Sequence, residues 1–240
     1  MNKLRLDHSL VVLGLVSTRS QAESYIRLGK VKVAGKVIAK PGFFVSDNAK
    51  VELEGDDRYV SRAGLKLASV ANKFALDFNK KVVLDVGSST GGFTDYALQN
   101  GAKKVIAVEV GTKQLHPSLL GNKNIELHEQ TDIRNVKKLS SVAHIVVIDV
   151  SFVSLREILP SVAKLVNKNA VIVAMVKPQF EAINSNIKHK GVIKNEAMRR
   201  DILKDFEFWA KQHFYIQDKQ DSDVTGEKGN KERFYLLHKL

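Results

Sequence analysis

Cysteine is missing from all 240 residues, so the chain carries no disulfide, no thiolate metal site and no cysteine nucleophile. Its seven histidines are scattered, without the spacing of metal ligands, and any catalysis is expected to be metal-free. No apolar stretch reaches the roughly 18 to 20 residues that span a bilayer. The start Met1-Asn2-Lys3-Leu4-Arg5 runs into Asp7 and His8 where a signal peptide would carry its apolar core. Internal repeats and low-complexity tracts are also lacking. These absences lead to the expectation of a cytoplasmic protein with no membrane partner.

What is present is a chain 44% hydrophobic, enough for one large domain or a large domain with a small appendage. Thirty-eight Lys and Arg against 26 Asp and Glu give a net charge of +12, which favours a polyanionic partner through phosphate contacts and counterion release. The alternative is a charge that only keeps the protein in solution. Location favours nucleic acid. Residues 1–40 carry eight basic side chains, Lys3, Arg5, Arg19, Arg27, Lys30, Lys32, Lys36 and Lys40, against Asp7 and Glu23.

The pattern predicts a short helix over Leu6–Leu13 closed by Gly14. A second helix opens at a capping box of Thr18 with Gln21, runs through Leu28 and closes at Gly29. Val31–Val33 and Lys36–Ile38, joined across Ala34-Gly35, read as a hairpin with basic side chains on one face. This order, with Ser-x-Gln-Ala-x-x-Tyr-Ile-x-x-Gly-Lys-Val inside it, resembles over about residues 3–50 the small RNA-binding module named after ribosomal small-subunit protein four. The resemblance implies RNA-backbone contacts at Arg5, Arg19, Arg27, Lys30 and Lys32, to which Arg62 is added; contacts of this kind position more than they specify. Pro41, Gly42 and the acidic run Glu52–Asp57 mark an exit, giving a boundary near residue 58 and two domains, 1–58 and 59–240.

From Lys81 onward apolar strands alternate with helical stretches, the pattern of a mainly parallel sheet covered on both faces. Strands are expected at 82–86, 104–109, 124–128, 144–149 and 170–176, with 213–218 and 232–238 as a hairpin edge. The fold class is α/β, a Rossmann-like seven-stranded sheet preceded by a small α+β domain. Val82–Val86 delivers a glycine-rich turn, Gly87-Ser88-Ser89-Thr90-Gly91-Gly92-Phe93, into a helix, where a nucleotide-like cofactor docks. The spacing G-x-x-x-G-G differs from the dinucleotide fingerprint and suits S-adenosylmethionine better. Gly87 lets the chain turn against the ligand, and Gly91 and Gly92 are expected to leave room for it.

Acids at the carboxyl ends of the strands extend this cofactor set. Asp85 orients the loop and holds the methionine amine, Glu109 with Val110 meets the ribose hydroxyls, and Asp132 with Ile133 faces the adenine. Asp149 completes it. Methyl transfer to a sugar hydroxyl needs the hydroxyl deprotonated as the methyl arrives in line. A lysine desolvated beside another cation can serve as the base, with carboxylates placing the amines. Lys66, Asp149, Lys177 and Glu232, each at the edge of a predicted element, are the candidates. Lys177 closes an apolar strand before Pro178, and Lys66 could equally be an ordinary helix-face lysine.

Taken together and in this order, these motifs resemble the TlyA family of ribosomal RNA 2′-O-methyltransferases, sometimes labelled hemolysins, over essentially the whole chain. The family joins the RNA-binding module to a domain similar to the FtsJ-type methyltransferases, whose Lys-Asp-Lys-Glu tetrad falls here on Lys66, Asp149, Lys177 and Glu232. The resemblance implies Lys177 as proton acceptor with the other three tuning it. It also implies S-adenosylmethionine as cofactor, and a cytidine ribose of ribosomal RNA as substrate, in the large subunit and in some members the small, within a ribosomal subunit. Glu109 and Asp132 stand where the family commonly has Asp and Asn, and the segment Ser222–Asn230 lacks an expected proline. Three other readings remain open: an assembly factor that binds the ribosome without methylating it, a membrane-lytic protein, and a nicotinamide oxidoreductase. Lys188, Lys190, Arg199 and Arg200 either extend the RNA track or solvate a helix over about Asn195–Gln212.

Overall fold

The computed structural model describes residues 3–16, 19–27, 29–46, 48–53, 58–182, 191–226 and 229–240. Thr18 of the expected capping box, Leu28, most of the acidic run before the boundary (residues 54–57), Lys188 and Lys190 lie outside the described residues.

The N-terminal part contains β1 (Lys3–Arg5), α1 (Leu6–Val12), α2 (Arg19–Arg27), β2 (Val31–Val33), β3 (Lys36–Val37), β4 (Phe44–Ser46) and β5 (Val51–Leu53). Gly14 follows α1 with φ +68° and Gly29 follows α2 with the same φ, so both helices stop where a left-handed residue frees the chain. The two helices pack through Leu6, Leu10, Ala22 and Ile26 onto Val31 and Val45.

Three strands here lie outside the sequence pattern: β1 pairs antiparallel with β4, and β5 adds to β2 on the edge opposite β3. Three residues are too few to show an alternation. The hairpin itself differs from expectation. Lys32 pairs with Val37 and Lys36 with Val33; cross-strand partners share a face, so Lys32 and Lys36 project to opposite faces.

The larger part consists of α3 (Arg62–Ala71), β6 (Val82–Val86), α4 (Gly92–Gln99), β7 (Lys104–Val108), β8 (Ile125–His128), β9 (Ile145–Ile148), α5 (Leu155–Leu165), β10 (Val171–Val176), α6 (Pro178–Glu181), α7 (Glu196–Ala210), β11 (Phe214–Asp221) and β12 (Arg233–Lys239). One seven-stranded sheet runs in the order β11-β12-β10-β9-β6-β7-β8. Its five central and distal strands are parallel, and β12 is antiparallel to both β10 and β11, the expected hairpin edge.

Every residue of β6 is buried because helices cover both faces. Val82, Leu84 and Val86 enter one core with Leu159 and Phe206; Val83 enters the other with Leu67 and Tyr96. β6 lies between β9 and β7, so the chain leaves it in both directions. The crevice at the carboxyl ends of β6 and β9 is therefore the topological switch point at which ligands bind in open α/β sheets.

Candidate active site

The turn after β6 is shaped by backbone that only glycine supplies cheaply. Gly87 has φ +80°, and a Cβ there would lie 2.6 Å from the carbonyl oxygen of Asp149, so the turn presses against the end of β9. Gly91 and Gly92 serve a different end from the one expected. A Cβ on Gly91 would strike Leu115 and Leu119, and one on Gly92 would strike Ser61 and Ala63. These two glycines make room for neighbouring protein at the start of α4, and the cavity side of the turn belongs to Gly87, Ser88, Ser89 and Thr90.

Those four residues, with Asp85, Phe93, Asp149, Ser151 and Lys177, surround a cavity of about 180 Å³. Asp85 accepts a 2.6 Å hydrogen bond from Thr94 through Oδ2, while its buried Oδ1 and the buried Ser88 Oγ have no partner. Burial pushes the Asp85 carboxyl up to about 7 against the Thr94 hydrogen bond, with a further upward push from the Asp149 charge. An orphaned acceptor of this kind suits a ligand ammonium, which supplies both the missing donor and the missing charge.

Glu109 is buried; its two oxygens accept from Ser89 N at 2.9 Å and Gly111 N at 2.7 Å. It thereby binds the loop after β6 to the loop after β7. Val110 beside it is exposed. Asp132 caps Arg134 N and takes the Arg134 guanidinium on both oxygens, which holds its carboxyl below the usual range. Ile133 is buried in the core.

Two lysine–carboxylate pairs meet beside the cavity. Lys177 Nζ lies 2.5 Å from Asp149 Oδ1 and donates to Ser151 Oγ at 2.8 Å. Lys66 Nζ lies 2.6 Å from Glu232 Oε2. All four residues influence one another. Burial pushes Asp149 up, but the Lys177 and Lys66 charges and the Lys177 hydrogen bond bring it below its ordinary value. Burial raises Glu232, the Lys66 charge opposes this, and the Asp149 charge adds to the rise.

Each member is held by its element. Pro178 opens α6 and keeps Lys177 extended at φ −105°. Lys66 is buried on α3, which is braced against the segment bearing Glu232 by Arg62 to Thr225 O at 2.7 Å and by Lys73 to Asp223. Ser222 N donates to Glu232 O at 3.0 Å.

Two neighbours of Asp149 stand at the site without a motif to mark them. Ser151 is the hydroxyl partner of Lys177, and a hydroxyl two residues past a strand-end acid was its available signal. Phe152 is 87% exposed with φ +65°, its ring 5.2 Å from that of Phe180. An aromatic residue in a loop with no apolar periodicity to bury it was the signal there.

Several of the basic residues expected to meet RNA are engaged within the protein. Arg5 and Arg19 both pair with Asp7, at 2.8 and 2.9 Å. Arg27 lies 3.8 Å from Glu23, Lys30 sits 5.9 Å from the Tyr25 ring centroid, Lys32 is half-buried, and Arg62 forms the brace to Thr225. Arg199 neither extends a basic track nor solvates a helix: it is buried and pairs with Asp221 at 2.6 Å. Among the described residues no helix is long and apolar enough to cross a membrane.

The S4 domain family matches residues 4–51. The 23S rRNA (cytidine-2′-O)-methyltransferase TlyA of Campylobacter jejuni is 40% identical over 81% of this chain and 76% of its own. The 16S/23S rRNA (cytidine-2′-O)-methyltransferase TlyA of Mycobacterium tuberculosis is 33% identical over 98% of this chain and 90% of its own. A solved structure from Streptococcus thermophilus, provisionally called a hemolysin, superposes with a TM-score of 0.77 at 36% identity, covering 100% of this chain and 89% of that one. The FtsJ-like methyltransferase family matches residues 59–239, the part that holds the turn, the cavity and both lysine–carboxylate pairs, and the chain belongs to that family.

Proposed function

We propose that this protein transfers the methyl group of S-adenosylmethionine to the 2′-hydroxyl of a cytidine in ribosomal RNA, most readily in the large subunit. Residues 1–58 would bind RNA and residues 59–240 would carry the reaction, in the cytoplasm where ribosomes are. The observation that carries this reading is the Lys177–Asp149 pair in the wall of a cavity whose Asp85 Oδ1 and Ser88 Oγ lack partners, with the Lys66–Glu232 pair acting on Asp149 from behind it. The relatives named above act on cytidine 2′-hydroxyls of rRNA.

Asp85, Ser88 and the turn at Gly87 would hold the amino-acid end of the cofactor, and Glu109 the ribose. When bound, S-adenosylmethionine supplies a methyl group on a positively charged sulfur. Lys177 Nζ offers its lone pair to the proton of the sugar hydroxyl as that oxygen bonds to the methyl carbon and the carbon–sulfur bond breaks, its electron pair staying on the departing thioether; the ammonium so formed passes the proton to water, and the step calls for no metal. Asp149 and Ser151 fix Nζ at the cavity wall, and the Lys66–Glu232 pair sets the charge beside it. Phe152 offers an exposed ring at the same edge, a surface on which the base of the target nucleotide can stack.

The test is transfer of labelled methyl from S-adenosylmethionine to separated ribosomal subunits and naked rRNA, with the site mapped by resistance to alkaline cleavage. The expected product is one 2′-O-methylcytidine. Cofactor binding with no transfer to any of these substrates would replace this reading with that of an assembly factor.

A further inference from the structure

Four residues past Lys177 stands a buried acid that has no part in either lysine–carboxylate pair. Glu181, 5% exposed, ends α6, and both its oxygens hold the loop between β9 and α5. Oε2 accepts from Ser154 Oγ at 2.6 Å and Oε1 from Leu155 N at 2.7 Å. Ser154 Oγ accepts in turn from Arg156 N at 3.1 Å, so carboxylate, hydroxyl and the start of α5 form one chain of hydrogen bonds. Arg156 Nε, 3.7 Å from Oε2, partners the charge.

Phe180 N and Glu181 N both donate to Lys177 O, at 2.9 and 3.4 Å, closing a turn in which positions 177, 180 and 181 fall on one side. All three reach the same loop. Lys177 meets Asp149 and Ser151, the Phe180 ring lies 5.2 Å from that of Phe152, and Glu181 takes Ser154 and Leu155. On its upstream side the loop is pinned by Asp149 N, which donates to Val86 O at 3.0 Å. Phe152 stands between these anchors at φ +65°, a conformation that a residue with a Cβ keeps only where its surroundings over-determine it.

A buried carboxylate is a costly way to start α5, for which Ser154 alone is a sufficient cap. What the carboxylate adds is the position of the residues before the cap. We propose that Glu181 is a positioning residue for methyl transfer: by holding Ser154 and Leu155 it sets the loop from Asp149 to Leu155 so that Phe152 presents its ring to the target base and Ser151 meets Lys177. This rests on the proposed function and deepens it, making α6 and the lysine before it the element that places both the proton acceptor and the surface for the base.

The experiment compares kcat, KM for rRNA and S-adenosylmethionine affinity of the full-length protein with amide exchange across residues 150–155. Glu181→Ala is expected to speed exchange at Leu155 and its neighbours and to leave cofactor affinity unchanged. KM for rRNA should rise about tenfold through the displaced ring, and kcat should fall about tenfold through the displaced Ser151. Glu181→Gln should recover most of both, since a carboxamide still accepts from Leu155 N and the Ser154 hydroxyl can turn to accept from its NH2 group. In a Phe152→Gly background the KM effect of Glu181→Ala should vanish, because the ring that Glu181 places is already gone.

A rise in KM by the same factor with and without the Phe152 ring would overturn the proposal, and so would a loop that exchanges as slowly in Glu181→Ala as before. If Glu181→Ala unfolds, as thermal melting would report, Ser154→Ala removes one of the two contacts and decides by the same pairing with Phe152→Gly. Inactivity of the unsubstituted protein on every rRNA substrate would instead remove the proposed function, and exchange across the loop would then decide alone whether Glu181 holds it.

Discussion

Lys66 Nζ and Glu232 Oε2 lie 2.6 Å apart, with side chains only 11% and 3% exposed, although one belongs to α3 and the other to the segment entering β12. Removing one member of such a pair leaves its partner's charge in a poorly solvated place, whereas removing both does not. Glu232→Gln is therefore expected to destabilise the fold by about 3 kcal/mol, read by denaturant unfolding. Lys66→Met combined with Glu232→Gln should recover much of that loss. Methyl transfer should stay low in both. Strictly additive stability losses would mean that the two side chains do not act as a pair.

Lys177 differs in that it lines the cavity itself, paired with Asp149 and Ser151, and is the residue proposed to meet the sugar hydroxyl. It should be possible to remove it and keep the cofactor, because Asp85, Ser88 and the turn at Gly87 stand independently of it. Lys177→Ala is expected to retain S-adenosylmethionine affinity within a few-fold and to lose transfer. Lys177→Arg, which keeps a positive charge but offers no proton acceptor at neutral pH, should be equally inactive. Substantial turnover by the arginine variant would assign proton removal to another group.

The parts of this molecule legible in its sequence are those in which local pattern and long-range position coincide. β6 reads as a strand because five successive apolar or buried positions end at Gly87, whose positive φ is itself a local property. The acid at the end of β9 and the lysine at the end of β10 stand at the carboxyl edge for the same reason. What stayed illegible depends on remote neighbours. The space beside Gly91 is filled by Leu115 and Leu119, and the space beside Gly92 by Ser61. Nothing in the turn distinguishes room for a ligand from room for a leucine. Asp7 reads as one of two acids in a basic segment until β4 brings Gly42 under Arg5 and α2 brings Arg19 alongside.

Phe152 offers a test in which stability and activity move in opposite directions. A phenylalanine at φ +65° is strained by about 1 kcal/mol relative to glycine, and with its ring exposed it regains little by burial. Phe152→Gly is expected to hold or raise the melting temperature while raising KM for RNA about tenfold through loss of a stacking surface. Cofactor affinity should not change. If KM for RNA is unaltered, the exposed ring has no part in substrate binding and its strain has another origin.

Asp85 makes cofactor binding depend on pH in a direction that can be worked out. Burial raises its carboxyl from the ordinary 3.8 to about 7. Between those values the folded protein holds a proton that the unfolded chain has released, so stability falls as pH rises through this window and levels off above about 7. A ligand ammonium beside Oδ1 favours the ionised form, so binding below about 7 must expel that proton. Affinity for S-adenosylmethionine should therefore climb as pH rises toward 7. It should turn down only when the ligand's own amino group, near 8 for an ordinary α-amine, begins to lose its charge. Calorimetric titrations in two buffers of different ionisation enthalpy should register proton release on the acid limb. In Asp85→Asn the affinity should be lower and that limb flat. An acid limb that survives the substitution would mean that the titrating group is elsewhere, and that the orphaned oxygen of Asp85 faces something other than the ammonium.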